Sequence, residues 1–161
     1  MTRSPRGPAA DRPPHRAAGA AVGVLAVALL TGCVAPALDS GAFQHNALEA
    51  LDSGVSQTRT AALGVQNLLD QRVPKPYADT VVTDMEEAIG PVQDSFGSVD
   101  PPTPADERLR DDVSGLLSDA DDALAQARIA LRKDDEPAMR QSVRTLRAVA
   151  DRMQRESGRL G

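Results

Sequence analysis

Residues 103–161 read TPADERLRDDVSGLLSDADDALAQARIALRKDDEPAMRQSVRTLRAVADRMQRESGRLG, and this stretch decides the fold. It opens on a helix start. Thr103 is placed to cap, Pro104 falls in the first turn, and Asp106 and Glu107 suit the positive end of a helix dipole. Leu109, Val113, Leu116, Ala120, Ala123, Ala127 and then Ala130 or Leu131 recur at steps of three and four. That period gathers them on one side of a helix. The helix should end near Lys133. Asp134-Asp135 then makes a tight turn and caps a second helix, with Pro137 in its first turn. Met139, Val143, Leu146, Ala150, Met153 and Leu160 repeat the same steps. A turn this short makes the two helices antiparallel neighbours.

Upstream, the pattern appears twice more. A helix from about Pro76 to Phe96 carries a seam of Ala78, Val81, Met85, Ala88 and Val92, with Val82, Ile89 and Phe96 beside it. Gly90-Pro91 interrupts it. The apolar period continues past the interruption, so the expectation is a kink, with an end at Ile89 as the alternative. A helix from about Gly41 to Arg72 carries Leu48, Leu51, Val55, Thr58, Ala62, Val65 and Leu69. Asp39 or Ser40 is its candidate cap. Gly54 and Gly64 each cost it about 1 kcal/mol relative to alanine, a cost that close approach of a neighbour would offset. Val73-Pro74-Lys75-Pro76 stops it.

No segment alternates with period two, so no strand is expected. The predicted fold is all-α: an antiparallel up-down four-helix bundle over residues 41–161, packed on an alanine-rich core after an N-terminal signal helix. Its structural rival is a pair of helical hairpins that dimerises, which leaves a homodimer open.

The first thirty-three residues read differently. Arg3, Arg6, Arg12 and Arg16 face one acid, Asp11, among prolines at 5, 8, 13 and 14. Ala17 to Leu30 holds no charge. A basic start, a short apolar run and small residues at its end make a secretory signal. The run is shorter than the roughly 20 residues a bilayer-spanning helix needs. It ends on Leu30-Thr31-Gly32-Cys33, which contains the only cysteine.

That quartet resembles the lipobox of bacterial lipoproteins: an aliphatic residue, a small residue, Gly or Ala, then Cys. The resemblance covers this segment alone. It implies a diacylglyceryl group on the Cys33 thiol and cleavage before Cys33 by a type II signal peptidase. A further N-acyl chain on the new terminus is sometimes added. Residues 1–32 would then be a discarded signal, 33–40 a lipidated tether and 41–161 the folded domain. The implied location is the extracytoplasmic side of a cell membrane. Two chains anchor stably where one is marginal. With Cys33 acylated no disulfide is possible, so packing alone must hold the fold.

Removing residues 1–32 takes four arginines and one aspartate from the chain's 18 basic and 23 acidic residues. The remaining 14 and 22 give a formal charge of −8, which disfavours nucleic acid as a partner. Charge is also uneven. Cys33 to Asp100 has three basic and ten acidic residues, whereas the last helix carries Arg140, Arg144, Arg147, Arg152, Arg155 and Arg159. At about 100° per residue these centre opposite the Met139–Leu146–Met153 seam. They are a candidate face for anionic headgroups or an envelope polymer. Pairing with the acidic third helix, or plain solvation, fits the same spacing.

Catalytic signals are sparse. His45 is the one histidine after Cys33, no G-x-S-x-G elbow occurs, and no Glu-x-x-His pairs suit a di-iron bundle. Asp84, Glu86 and Glu87, and Asp119, Asp121 and Asp122, are two acidic clusters. Carboxylates hold Ca²⁺ or Mg²⁺, but consecutive acids diverge around a helix and no EF-hand spacing is present. The expectation is therefore a noncatalytic, membrane-anchored binding or scaffold module for a protein or envelope partner, with no metal and no cofactor beyond the lipid. An acidic-cluster metal-binding or enzymatic bundle is the alternative.

Overall fold

A computed structural model describes residues 39–161. The signal segment, the Leu30–Cys33 motif and the tether up to Leu38 lie outside the described residues. Four helices form: α1, Ser40–Leu69; α2, Lys75–Gly97; α3, Pro104–Arg132; and α4, Glu136–Leu160. No strand occurs among the described residues.

Short polar side chains set three of the helix starts. Asp39, Thr103 and Asp135 each accept a hydrogen bond from the backbone N–H three residues on, that of Ala42, Asp106 and Ala138. Asp39 thus caps α1, and Ser40 is left free for another role. Two of the helix ends close by one device. After α1, Gln71 N–H donates to the Leu68 carbonyl and Arg72 N–H to that of Asn67. After α3, Asp134 N–H donates to Leu131 and Asp135 N–H to Ala130. Both are Schellman closures, and each puts a non-glycine residue in the left-handed region: Gln71 at φ 57° and Asp134 at φ 53°. The closure at Gln71 ends α1 ahead of the expected Arg72. The prolines begin the next helix instead, with Pro76 in the first turn of α2.

α2 continues through Gly90-Pro91 to Gly97 and does not end at Ile89. Its buried line is Ala78, Val82, Ile89 and Phe96. The periodicity alone sets the last three of these beside the seam, whereas the structure puts them on it. Val81, Met85, Ala88 and Val92 are only partly covered.

α1 packs against each of the other three helices, and α3 packs between α2 and α4. α2 and α4 do not touch. A single core joins all four, built on Phe43, Leu51 and Val65, Val82 and Ile89, Leu117 and Leu124, and Leu146 and Met153. Nine alanines of α1, α2 and α3, from Ala47 to Ala130, belong to it, so the helices approach closely. Gly54 and Gly64 sit where a neighbouring helix comes close. A Cβ on Gly54 would fall 2.8 Å from Met153 Sδ, and one on Gly64 would fall 3.1 Å from Val81 Cγ1. The rings of Phe43 and Phe96 meet at 5.5 Å and 43°. That contact joins the beginning of α1 to the end of α2. Lys75, first in α2, pairs with Asp134, just before α4.

Candidate functional site

The outer face of α4 is the most distinctive surface. All six arginines expected there are exposed, because the helix turns Met139, Val143, Leu146, Ala150 and Met153 inward. The structure sorts them. Arg140 pairs with Glu136 one turn back, and Arg159 with Glu156 at 2.7 Å. Arg152 reaches α3, where Asp119 accepts at 2.7 Å. Arg144 donates through Nε to the neutral Gln141 amide oxygen at 3.2 Å. Arg147 and Arg155 have no ion pair among the described residues. Pairing with α3 therefore accounts for one of the six. Asp151 sits inside the strip and draws Arg59 of α1 to 3.5 Å, which adds another cation to its edge.

The two acidic clusters are divided. Glu86 turns toward α3 and takes a two-pronged bond from Arg128, Nη2 to Oε1 at 2.9 Å and Nε to Oε2. Both partners are partly buried, with side-chain exposures of 19% and 30%. Glu86 raises the Arg128 pKa, first through the hydrogen bond and then through its charge. Asp119 turns the other way, to Arg152. Asp84, Glu87 and Asp122 are exposed. Among the described residues no group of three His, Cys, Asp or Glu side chains converges to hold a metal ion. His45 lies on the surface of α1, 3.2 Å from Glu49.

Sequence reasoning missed a polar joint at the beginning of α1 and α3. Asp106 is buried. Its Oδ2 accepts from Ser40 Oγ and from Thr103 Oγ1, each at 2.6 Å. The Ser40 hydroxyl first, then that of Thr103, hold the Asp106 carboxyl below its usual pKa against the opposing effect of burial. Ser157 of α4 donates likewise to Asp52 of α1 at 3.0 Å. Thr103 and Asp106 were legible as a helix start. Their partner 66 residues away carried no local signal.

The grooves are shallow. One of about 310 Å³ runs between α1 and α2, lined by Ala50, Ser53, Pro91, Val92 and Phe96 among others. Another, between α2 and α3, lies over the Glu86–Arg128 pair. No helix among the described residues is long and apolar enough to cross a membrane. No protein-family model, no curated protein and no solved structure matches the chain.

Proposed function

We propose that this chain is an extracytoplasmic lipoprotein: a noncatalytic helical module, held to a cell membrane through acylated Cys33, that binds or scaffolds an envelope or protein partner. The observation that carries this reading is the spacing between Cys33 and the fold. The cap of α1 is Asp39, six residues beyond the cysteine of Leu30-Thr31-Gly32-Cys33. A tether this short keeps the domain at the headgroups.

The helices are proposed to run up and down in turn. Contacts at both ends support this. Phe43 with Phe96 and Ser40 with Asp106 gather the start of α1, the end of α2 and the start of α3. Lys75 with Asp134 gathers the start of α2 and the turn into α4. The arginine face of α4 is the proposed contact surface. Its cations are held outward by the seam behind them and are only half matched by neighbouring acids. The acidic-cluster metal-binding or enzymatic alternative has no observation in its favour, since Glu86 and Asp119 spend their charge on arginines of other helices.

The test is metabolic labelling with an acyl probe in a bacterial host, followed by crosslinking and pull-down from intact membranes. Label on the native chain and none on Cys33→Ala is expected. Equal label on both would refute the anchor.

A further inference from the structure

We infer that the arginine face of α4 docks on the acidic outer face of α2 in a second copy of this chain, so that copies line up side by side. The inference deepens the reading of the α4 face as a contact surface by naming its occupant.

From Pro76 to Gly97, α2 carries no base, and it displays Asp79, Asp84, Glu87 and Asp94. Asp84, Glu87 and Asp94 are exposed, and none of the four acids has an ion partner among the described residues. On α4 the cations without an acid are Arg144, Arg147 and Arg155. The unpaired acids of α2 and the unpaired arginines of α4 thus lie on two helices that do not touch. Within one copy these two sets cannot meet, whereas those of two copies can.

The spacing agrees. Asp79 and Asp94 lie fifteen residue steps apart with Glu87 between them, as do Arg140 and Arg155 with Arg147 between them, a length of about 22 Å at 1.5 Å per residue. Both helices lead away from the Lys75–Asp134 contact, so residues counted from it lie at similar heights. A sideways shift of one copy, without tilt or slip, brings Glu87 near Arg147 and Asp94 near Arg155 of its neighbour, and sets Asp79 beside Arg140, which Glu136 already pairs. Guanidinium groups suit such carboxylates through two parallel bonds. Copies held at one height by the same short tether are in register for this contact.

The two surfaces differ, so the contact is heterologous and leaves one face free at each end of a row. Exposed ion pairs are individually weak. Like net charge also repels copies at long range, and salt screens both effects. The contact is therefore salt-sensitive and favoured by the crowding of anchored copies.

The experiment is sedimentation velocity of the full chain in mild detergent, at about 0.1 M and about 1 M salt, where the screening length falls from about 10 Å to about 3 Å. Assembly beyond the monomer at the lower salt and its loss at the higher are expected. Glu87→Arg/Asp94→Arg and Arg147→Glu/Arg155→Glu should each abolish assembly, and mixing the two variants should restore it, because each then offers what the other lacks. Circular dichroism of both variants checks that they keep the helical fold. A monomer at the lower salt, or assembly that ignores both reversals, overturns the inference. Neither result touches the anchor, which is read by acyl label on Cys33.

Discussion

Gly54 of α1 faces Met153 of α4 so closely that a Cβ on residue 54 would lie 2.8 Å from the Met153 sulfur and 3.1 Å from Leu117 Cδ2. Both neighbours are fully buried, so neither can swing into water. Gly54→Ala gains about 1 kcal/mol of helix propensity and meets overpacking that costs about 1–3 kcal/mol. A net loss of about 1 kcal/mol is expected. Gly115, exposed and with nothing within 4 Å of its would-be Cβ, provides the control. Gly115→Ala should gain about 1 kcal/mol. Thermal unfolding followed by circular dichroism should move in opposite directions for the two, by about 4 °C each.

Gln71 holds a left-handed backbone at φ 57°, a conformation that costs a non-glycine residue about 1 kcal/mol. Gln71→Gly keeps both Schellman hydrogen bonds and relieves that cost. The variant should be more stable by about 1 kcal/mol, read from its urea midpoint at unchanged m-value. A lower midpoint would mean that the Gln71 side chain makes a contact worth more than the relief.

The Asp106 carboxylate makes stability depend on acid pH. Its folded pKa lies below its unfolded value. The stabilisation is therefore fully present above the unfolded value of about 3.9 and is lost as pH falls through the lower folded one. Asp106→Asn should be less stable than the native chain at pH 7, and the gap should narrow below about pH 4. Urea unfolding across that range checks it. A gap that stays constant down to pH 2 would assign the loss to packing.

Glu86 and Arg128 link α2 to α3 with two charged hydrogen bonds in a partly covered site. A double-mutant cycle with Glu86→Gln and Arg128→Met should give a coupling of about 1 kcal/mol. The exposed pair Arg140–Glu136 within α4 should give only about 0.3 kcal/mol. Equal couplings would remove the distinction between a bond that joins helices and one that decorates a surface.

Much of the fold could be read from local pattern. Thr103 with Pro104 placed one helix start to the residue, and Asp134-Asp135 with Pro137 placed another to within one, because a cap and a first-turn proline are local physics. The inward line of α4 was legible from the three-four steps of Met139 to Met153. Other parts were not, among them the burial of Leu117 and Leu124 in α3, where the pattern chose Leu116. The seam of α2 was shifted, since Val81 and Val82 fit neighbouring stripes equally well and only the facing helices choose between them. The end of α1 was misjudged, since nothing in Leu69-Asp70-Gln71 marks a left-handed turn without a glycine. At the surface, the arginine strip was visible as composition. Its sorting into paired and unpaired members depends on Glu136 and Glu156 of the same helix, on Asp119 of α3, and on Arg59 of α1, which engages Asp151.

The most direct test of the anchored-module reading is the intact mass and N-terminal peptide of the protein isolated from bacterial membranes. A chain that begins at Cys33 and carries a diacylglyceryl adduct, with or without an N-acyl group, is the expected result. A chain that retains residues upstream of Cys33, or that begins at an unmodified residue and stays in the soluble fraction, would contradict it.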